Sequence, residues 1–404
     1  MAPRFRADQV GSLIRPQALL ALHKTASEGI PLATTSSEET KMNLQSATAK
    51  AIADVVQKQL DLCIRPITSG EYERSVFYEG FFEKLRGNEL RNVRVPEDFR
   101  PNLPISESLV KAGIQETPAS ITTGKIEHVE PAYLHVWEML KKGVPQEHWK
   151  DCKIALPSPT WQHVWLSKGR TYSSDVYSSD QEYFADLTAA YRAEIRILYD
   201  AGLRNLQVDD PQLLYFILES FTDGLRSEAV DPSELLDTYI WALNEVVRDR
   251  PEDLYVGVHI CRGNIPGSNT GVLEGSYESI AEKLFRELDY DTFYLEFDDA
   301  RSGSFEPLRF LPQGKTVTLG LISTKTPELE DLDELRRRVQ DAATVIASGQ
   351  KRTTGEVLED SLAVSPQCGF ASAHHGKNVG SEERMWDKLV LVRDLARSIW
   401  SGSS

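Results

Sequence analysis

A histidine and a cysteine stand two residues apart in the run Val256-Gly-Val-His-Ile-Cys-Arg-Gly-Asn264. Side chains on a β-strand alternate between faces, so Val256, Val258 and Ile260 share one face while Gly257, His259 and Cys261 share the other. An imidazole and a thiol are thereby set side by side where Arg-Gly-Asn ends the strand. They make half of a tetrahedral zinc site, which takes nitrogen, thiolate and carboxylate ligands. In the run Thr292-Phe-Tyr-Leu-Glu-Phe297, three apolar residues share a face and Glu296 projects from the opposite one. An ionised carboxylate without a partner is costly to bury, and a cation satisfies it. Cys368, in Ser365-Pro-Gln-Cys368-Gly, offers a second thiolate. One nitrogen, two sulfurs and one oxygen suit Zn2+. Each residue alone also has a plainer reading: a strand-end histidine buried in a cleft, cysteines packed as small hydrophobes, and Glu296 paired with an arginine such as Arg301. Spacing alone leaves both readings open.

These residues need a scaffold that brings distant strand ends together. Short β-like runs recur along the chain at residues 7–12, 64–71, 120–126, 153–158, 205–209, 256–261, 292–297, 316–322 and 362–368. Helical patterns alternate with them, most plainly at 37–61 and at 331–348, where Leu332, Leu335, Val339, Ala342, Ala343 and Ile346 fall on one side. Strands alternating with helices imply parallel β-α units, and eight such units close a barrel. Nine candidates are one too many, so one is misassigned or lies outside the barrel. Residues 88–116, with Pro96, Pro101 and Pro104, read as an irregular insertion, and residues 263–275 as a loop rich in Gly, Asn and Ser. With no dividing linker, residues 1–404 are expected to form a single barrel domain. Active sites of such barrels form at the carboxyl ends of the strands. The polar residues there are Ser12, Glu71, Ser158 or Thr160, Asp209 with Asp210, and the four candidate ligands.

Composition narrows the partners. A net charge of −16 over 404 residues disfavours nucleic acid and anionic membranes, both of which attract basic surfaces. No apolar run is long enough for a signal peptide or a membrane span. The four cysteines, Cys63, Cys152, Cys261 and Cys368, are few and widely spread, the pattern of a cytoplasmic protein with reduced thiols.

His259-Ile-Cys261, Glu296 and Pro366-Gln-Cys368-Gly-Phe370 together resemble the zinc site of the cobalamin-independent methionine synthase family. Val10-Gly-Ser12, Gly70-Glu71 and Val208-Asp-Asp-Pro211 match further blocks in the same order. The likeness runs from about residue 7 to about residue 397 and is nearest to short members resembling the family's C-terminal catalytic domain. The resemblance implies an α/β fold, a (β/α)8 barrel of the methionine synthase/uroporphyrinogen decarboxylase type with loop insertions. It also implies Zn2+ held by His259, Cys261, Glu296 and Cys368, which presents a homocysteine-like thiol, as thiolate, to a methyl donor such as methyl-folate or another methyl carrier. Ser12, Glu71 and Asp209 then become substrate contacts, the two carboxylates holding an ammonium and Ser12 a carboxylate.

The sequence also departs from the family pattern. Its length leaves no room for the second barrel of the long enzymes. Where they carry a histidine regarded as proton donor, Lys325 stands in Ser323-Thr-Lys-Thr-Pro-Glu328. Lys325 and His163 are the candidate acids on the donor side, and His374-His375 a candidate lid. The departures keep a second reading open, alkyl or epoxide transfer to another thiol. A zinc hydrolase and a non-catalytic zinc-binding protein rank lower, because two thiolates make a poor water activator and pure storage needs no amino-acid clamp.

Overall fold

The computed structural model describes residues 2–26, 37–111, 113–263, 273–372 and 379–400. His374 and His375, and residues 264–272 of the expected loop, lie outside the described residues. Strands β1 (Leu85–Arg94) and β2 (Glu116–His128) form an antiparallel pair. The other six, β3 (Ile154–Pro157), β4 (Asn205–Asp209), β5 (Tyr255–Ile260), β6 (Thr292–Glu296), β7 (Thr316–Ile322) and β8 (Leu362–Pro366), make one parallel sheet in chain order. Their residues are almost all buried, as expected of strands covered on both faces.

Two short staves close this sheet into a (β/α)8 barrel. Residues 7–12 and 64–70 join through parallel bridges, Ala7 to Val364, Ser12 to Gly70 and Ile67 to Cys152. The backbone bonds Asp8 N–H to Val364 O (2.8 Å), Leu13 N–H to Gly70 O (3.0 Å) and Lys153 N–H to Ile67 O (2.9 Å) carry the ladder around the gap. The run 120–126 is therefore the candidate that lies outside the barrel: it belongs to β2. The stretch 88–116 is also more regular than expected. It holds most of β1, a helix over Pro104–Lys111 and the start of β2, with Leu85 paired to His128 and Arg94 to Glu116.

Helices take the outer layer. Glu38–Asp61 begins at Ser37, whose hydroxyl accepts from Thr40 N–H, and Leu332–Gln350 begins at Asp331, whose carboxylate accepts from Glu334 N–H. Each cap satisfies a backbone donor that the first helical turn leaves free. Among the described residues no helix is long and apolar enough to cross a membrane.

The interior layer below the site depends on one glycine. Gly257 on β5 faces Tyr294 on β6, and a Cβ there would meet the Tyr294 ring at 2.5 Å and the Thr292 methyl at 2.8 Å. The missing side chain gives the ring its place inside the barrel, where its hydroxyl donates to Asp8 Oδ2 at 2.9 Å.

Candidate metal centre

Register sets the site. Asp209 on β4 is aligned with His259 on β5, and Ile260 with Leu295 on β6, so the last residues of three strands reach the carboxyl mouth together. Cys261 follows β5, Glu296 ends β6, and Cys368 lies two residues beyond β8. All four side chains are buried, and one ligand atom from each lies within 4.8 Å of all the others. The two sulfurs are 3.4 Å apart. Backbone donors brace the cluster: Arg262 N–H gives to Glu296 Oε1 at 2.8 Å, and Gly263 N–H to Cys261 Sγ at 3.2 Å.

The imidazole is oriented from behind. Its Nδ1 bonds Asp209 Oδ1 at 3.0 Å, while Nε2 is buried with no hydrogen-bond partner. A buried ring nitrogen without a partner is an uncompensated cost, unless its lone pair is given to a ligand. Nitrogen, two sulfurs and a carboxylate oxygen in one buried cluster are the donor set of a tetrahedral zinc site, so the residues fit the ion.

The charges in the cluster are unusual. The Cys261 thiol beside it and the His259 imidazole hold Cys368 well below the ordinary thiol range, whereas Cys261 is pushed up by Cys368 and by burial. One negative charge is thus shared by two sulfurs. Burial opposes a charge on His259, but Asp209 and the Cys368 thiolate outweigh it and raise the imidazole to about 10. Glu296 is pushed up to about 7 by burial and by Cys368. A cluster that holds protons this tightly at neutral pH is one that a divalent cation would empty.

A cavity of about 280 Å3 opens on the cluster. Glu71, Asp209, His259, Cys261, Arg262 and Cys368 border its polar end, and Phe77, Tyr78, Trp161, Trp165 and Tyr215 wall the other. Tyr78 stacks on Trp161 with ring centres 4.3 Å apart, and Trp161 leans on Trp165 at 4.5 Å. Glu71 holds a left-handed backbone, φ 59°, a conformation that costs a non-glycine residue about 1–3 kcal/mol. Its Oε1 pairs with Arg74 Nη2 at 2.8 Å, while Oε2 is buried and unpartnered. Burial pushes this carboxyl up against the pull of Arg74.

The other expected site residues fare differently. Ser12 does not border the cavity: its hydroxyl accepts from Ala371 N–H at 3.3 Å, under Gly369, where a Cβ would come within 2.0 Å of it. Lys325 is buried in ion pairs with Asp298 (2.6 Å) and Asp299 (3.2 Å), and Arg301 turns to Asp299 instead of Glu296. His163 faces away from the cavity into an aromatic cluster, with Nδ1 2.9 Å from the Tyr239 hydroxyl and Nε2 3.0 Å from Asp180. Both nitrogens are engaged and burial pushes its pKa down, so a role as donor-side acid does not fit this geometry. Asp210 accepts from Ser158, Thr160 and the backbone N–H groups of Gln212 and Leu213, which makes it the brace of the turn after β4.

Sequence reading passed over Arg74, Gln207, Arg262 and the aromatic wall. Arg262 is 1% exposed and sits in no ion pair among the described residues. Its Nη1 donates to Gly275 O at 2.8 Å, its plane lies over the Tyr277 ring, and Nε and Nη2 are buried without partners. An arginine next to a candidate thiolate ligand was the signal available for it.

A closed barrel of parallel strands with a cysteine-rich cluster at its carboxyl mouth defines the class of this protein. The chain belongs to the family of cobalamin-independent synthases: the pattern described as "Cobalamin-independent synthase, Catalytic domain" matches residues 171–388. It is 33% identical to the uncharacterized protein YxjH of Bacillus subtilis (strain 168), over 98% of this chain and 95% of that one. The crystal structure of the putative vitamin-B12 independent methionine synthase from Listeria monocytogenes superposes with a TM-score of 0.68 at 26% identity, covering 99% of both chains. The fold is also that of a B12-independent methionine synthase from Shewanella sp. W3-18-1, solved in complex with selenomethionine, with TM-score 0.63, 19% identity, and coverage of 98% and 97%.

Proposed function

We propose that this protein is a zinc-dependent methyltransferase that methylates the sulfur of a homocysteine-like amino acid. One observation carries the reading. Two buried polar atoms with no hydrogen-bond partner, His259 Nε2 and Glu71 Oε2, border one cavity, the first among thiol and carboxylate ligands and the second where an ammonium would be held. Family membership and the Listeria likeness support methyl transfer to a thiol.

His259, Cys261, Glu296 and Cys368 would hold the ion. When bound, zinc supplies a cation beside the substrate sulfur and so favours the deprotonated, nucleophilic form. Glu71 Oε2 and Asp209, whose hydrogen bonds both fall on Oδ1, receive the substrate ammonium. Arg262, which borders the cavity with two unpartnered guanidinium nitrogens, takes the substrate carboxylate in place of Ser12. The wall of Phe77, Tyr78, Trp161, Trp165 and Tyr215 keeps water from the thiolate and seats the methyl donor. Arg74 already neutralises part of Glu71, which weakens the clamp. That observation favours, as the second reading, alkyl transfer to a thiol without an amino group.

The test is uptake of zinc and of thiol together. One zinc per chain is expected, and homocysteine binding should release a proton and require the metal. Cys368→Ser should weaken both, since a hydroxyl replaces thiolate poorly at this ion. Calorimetry showing equal homocysteine affinity with and without zinc would sink the mechanism.

A further inference from the structure

The interior of the barrel below the cluster holds a continuous chain of buried polar side chains that ends on His259. Lys153, just before β3, places its ammonium 2.8 Å from Gln207 Oε1 and 2.8 Å from Asp8 Oδ1, with the Gln9 carbonyl and the Tyr294 hydroxyl completing its surroundings. Gln207 Nε2 donates to Asp209 Oδ1 at 2.7 Å and to Val10 O at 3.0 Å. Asp209 Oδ1 in turn meets His259 Nδ1 at 3.0 Å. Lys153, Gln207, Asp209 and His259 are each at most 5% exposed.

The direction of this chain is forced. An ammonium has only protons to give, so the Gln207 atom facing it must be the amide oxygen. The amide nitrogen is then turned to Asp209, and a flipped amide would set donor against donor below and oxygen against carboxylate above. Asp209 Oδ1, itself only an acceptor, requires the proton of His259 on Nδ1. Once a cation has displaced the other proton, Nε2 is the atom whose lone pair faces Cys261, Glu296 and Cys368. We propose that Lys153 and Gln207 are positioning residues that select, through Asp209, which nitrogen of His259 is offered to the metal, and hold the ring in its plane. Neither touches a ligand atom of the cluster or the cavity above it. The inference rests on the zinc reading of the cluster, and it explains why Asp209 can take part in the clamp with Oδ2 only.

Outer partners of metal-bound histidines typically change affinity about 10–100-fold when removed. Gln207→Met keeps the volume and breaks both ends of the relay. Gln207→Glu keeps the shape, still pairs with Lys153, and sets an oxygen against Asp209, so it serves if the first variant folds poorly. The whole protein, kept reduced, is titrated with Zn2+ alone against a competing chelator, and crystal structures of the metal-free wild type and variants give the ring pose. The expected result is zinc affinity about 10–100-fold weaker in both variants, with the imidazole turned away from Asp209. A general loss of stability would lower the melting temperature without changing zinc affinity of the folded fraction. Zinc affinity within twofold of wild type and an unmoved ring in both variants would overturn the proposal. A wild-type protein that takes up no zinc overturns the zinc reading instead, and is recognised because the ring still turns in the variants.

Discussion

Glu71 and Asp209 reach the cavity with one oxygen each already engaged, and that division governs what their substitution does. Glu71→Gln should weaken homocysteine binding by about 1.5–3 kcal/mol, the scale of a hydrogen bond to a charged group, and leave zinc content unchanged. Asp209→Asn should cost as much in homocysteine binding and also loosen zinc, because the same carboxylate orients His259. Arg262→Met should weaken homocysteine binding while leaving 3-aminopropane-1-thiol, which has no carboxylate, almost untouched. Calorimetry with the two thiols on zinc-loaded protein checks all three, and equal losses for both thiols with Arg262→Met would remove that residue from the clamp. A period of two puts His259 and Cys261 on one face and Glu296 opposite three apolar neighbours, which made three of the candidate ligands legible. Spacing left plain packing equally open, and the set of four with Cys368 came from the resemblance to the family. The engagement of Ser12, Lys325 and His163 was not. Their partners, Ala371, Asp298 and Asp180, are supplied by turns and helix starts whose approach no local pattern records.

At the scale of elements, the barrel strands announced themselves as β-like runs, and of the hairpin only residues 120–126 of β2 did. Leu85–Arg94 has a buried residue at its start and another near its end, with exposed or half-exposed Arg86, Asn88, Glu89, Arg91 and Asn92 between. A strand with no buried face has no alternation to read, and the prolines at 96, 101 and 104 pointed to irregular chain. The first two staves were readable as strands, yet they pair through single bridges only, so their shortness was not. Gly257 is where element packing is most exposed to substitution. Gly257→Ala sets a methyl against the Tyr294 ring and the Thr292 methyl at distances that real Cβ atoms do not tolerate. Overpacking of this kind typically costs about 1–3 kcal/mol, and the expected result is a correspondingly lower denaturation midpoint. Unchanged stability would show that Tyr294 can vacate the interior freely.

The whole molecule carries the pH dependence of the cluster. Without metal, His259 is raised to about 10 and Cys368 is held well below the usual thiol range. In the unfolded chain the two groups titrate near about 6.5 and about 8.5. Between those values the folded pair has only moved a proton from sulfur to nitrogen, so it adds no slope. Above about 8.5 the unfolded chain has lost both protons while the fold keeps one on His259, and Cys261, pushed up by Cys368 and by burial, keeps another that the unfolded thiol loses. Stability must therefore fall as pH rises toward about 10, by up to about 2.7 kcal/mol per pH unit. Glu296, raised to about 7, has the same sign lower down: the stability its protonated form contributes is lost between about 4.5 and about 7. Melting curves of metal-free protein from pH 8.5 to 10 should show the decline, His259→Gln should make it shallower, and zinc should restore most stability at the alkaline end. A metal-free protein as stable at pH 10 as at pH 8.5 would contradict these assignments.

The stave at residues 7–12 is held between β8 and the stave at 64–70, and Ser12 meets the backbone of Ala371 across 359 positions of sequence. A chain emerging from the ribosome at about 5–20 residues per second therefore waits tens of seconds before its opening stave meets its last neighbour. Until then the growing sheet has two raw edges, each a template for wrong pairing. Cys368 emerges with that final neighbour, so a metal ion cannot guide assembly from the start. A metal taken up by the proposed site would arrive as a latch on a ring already drawn shut.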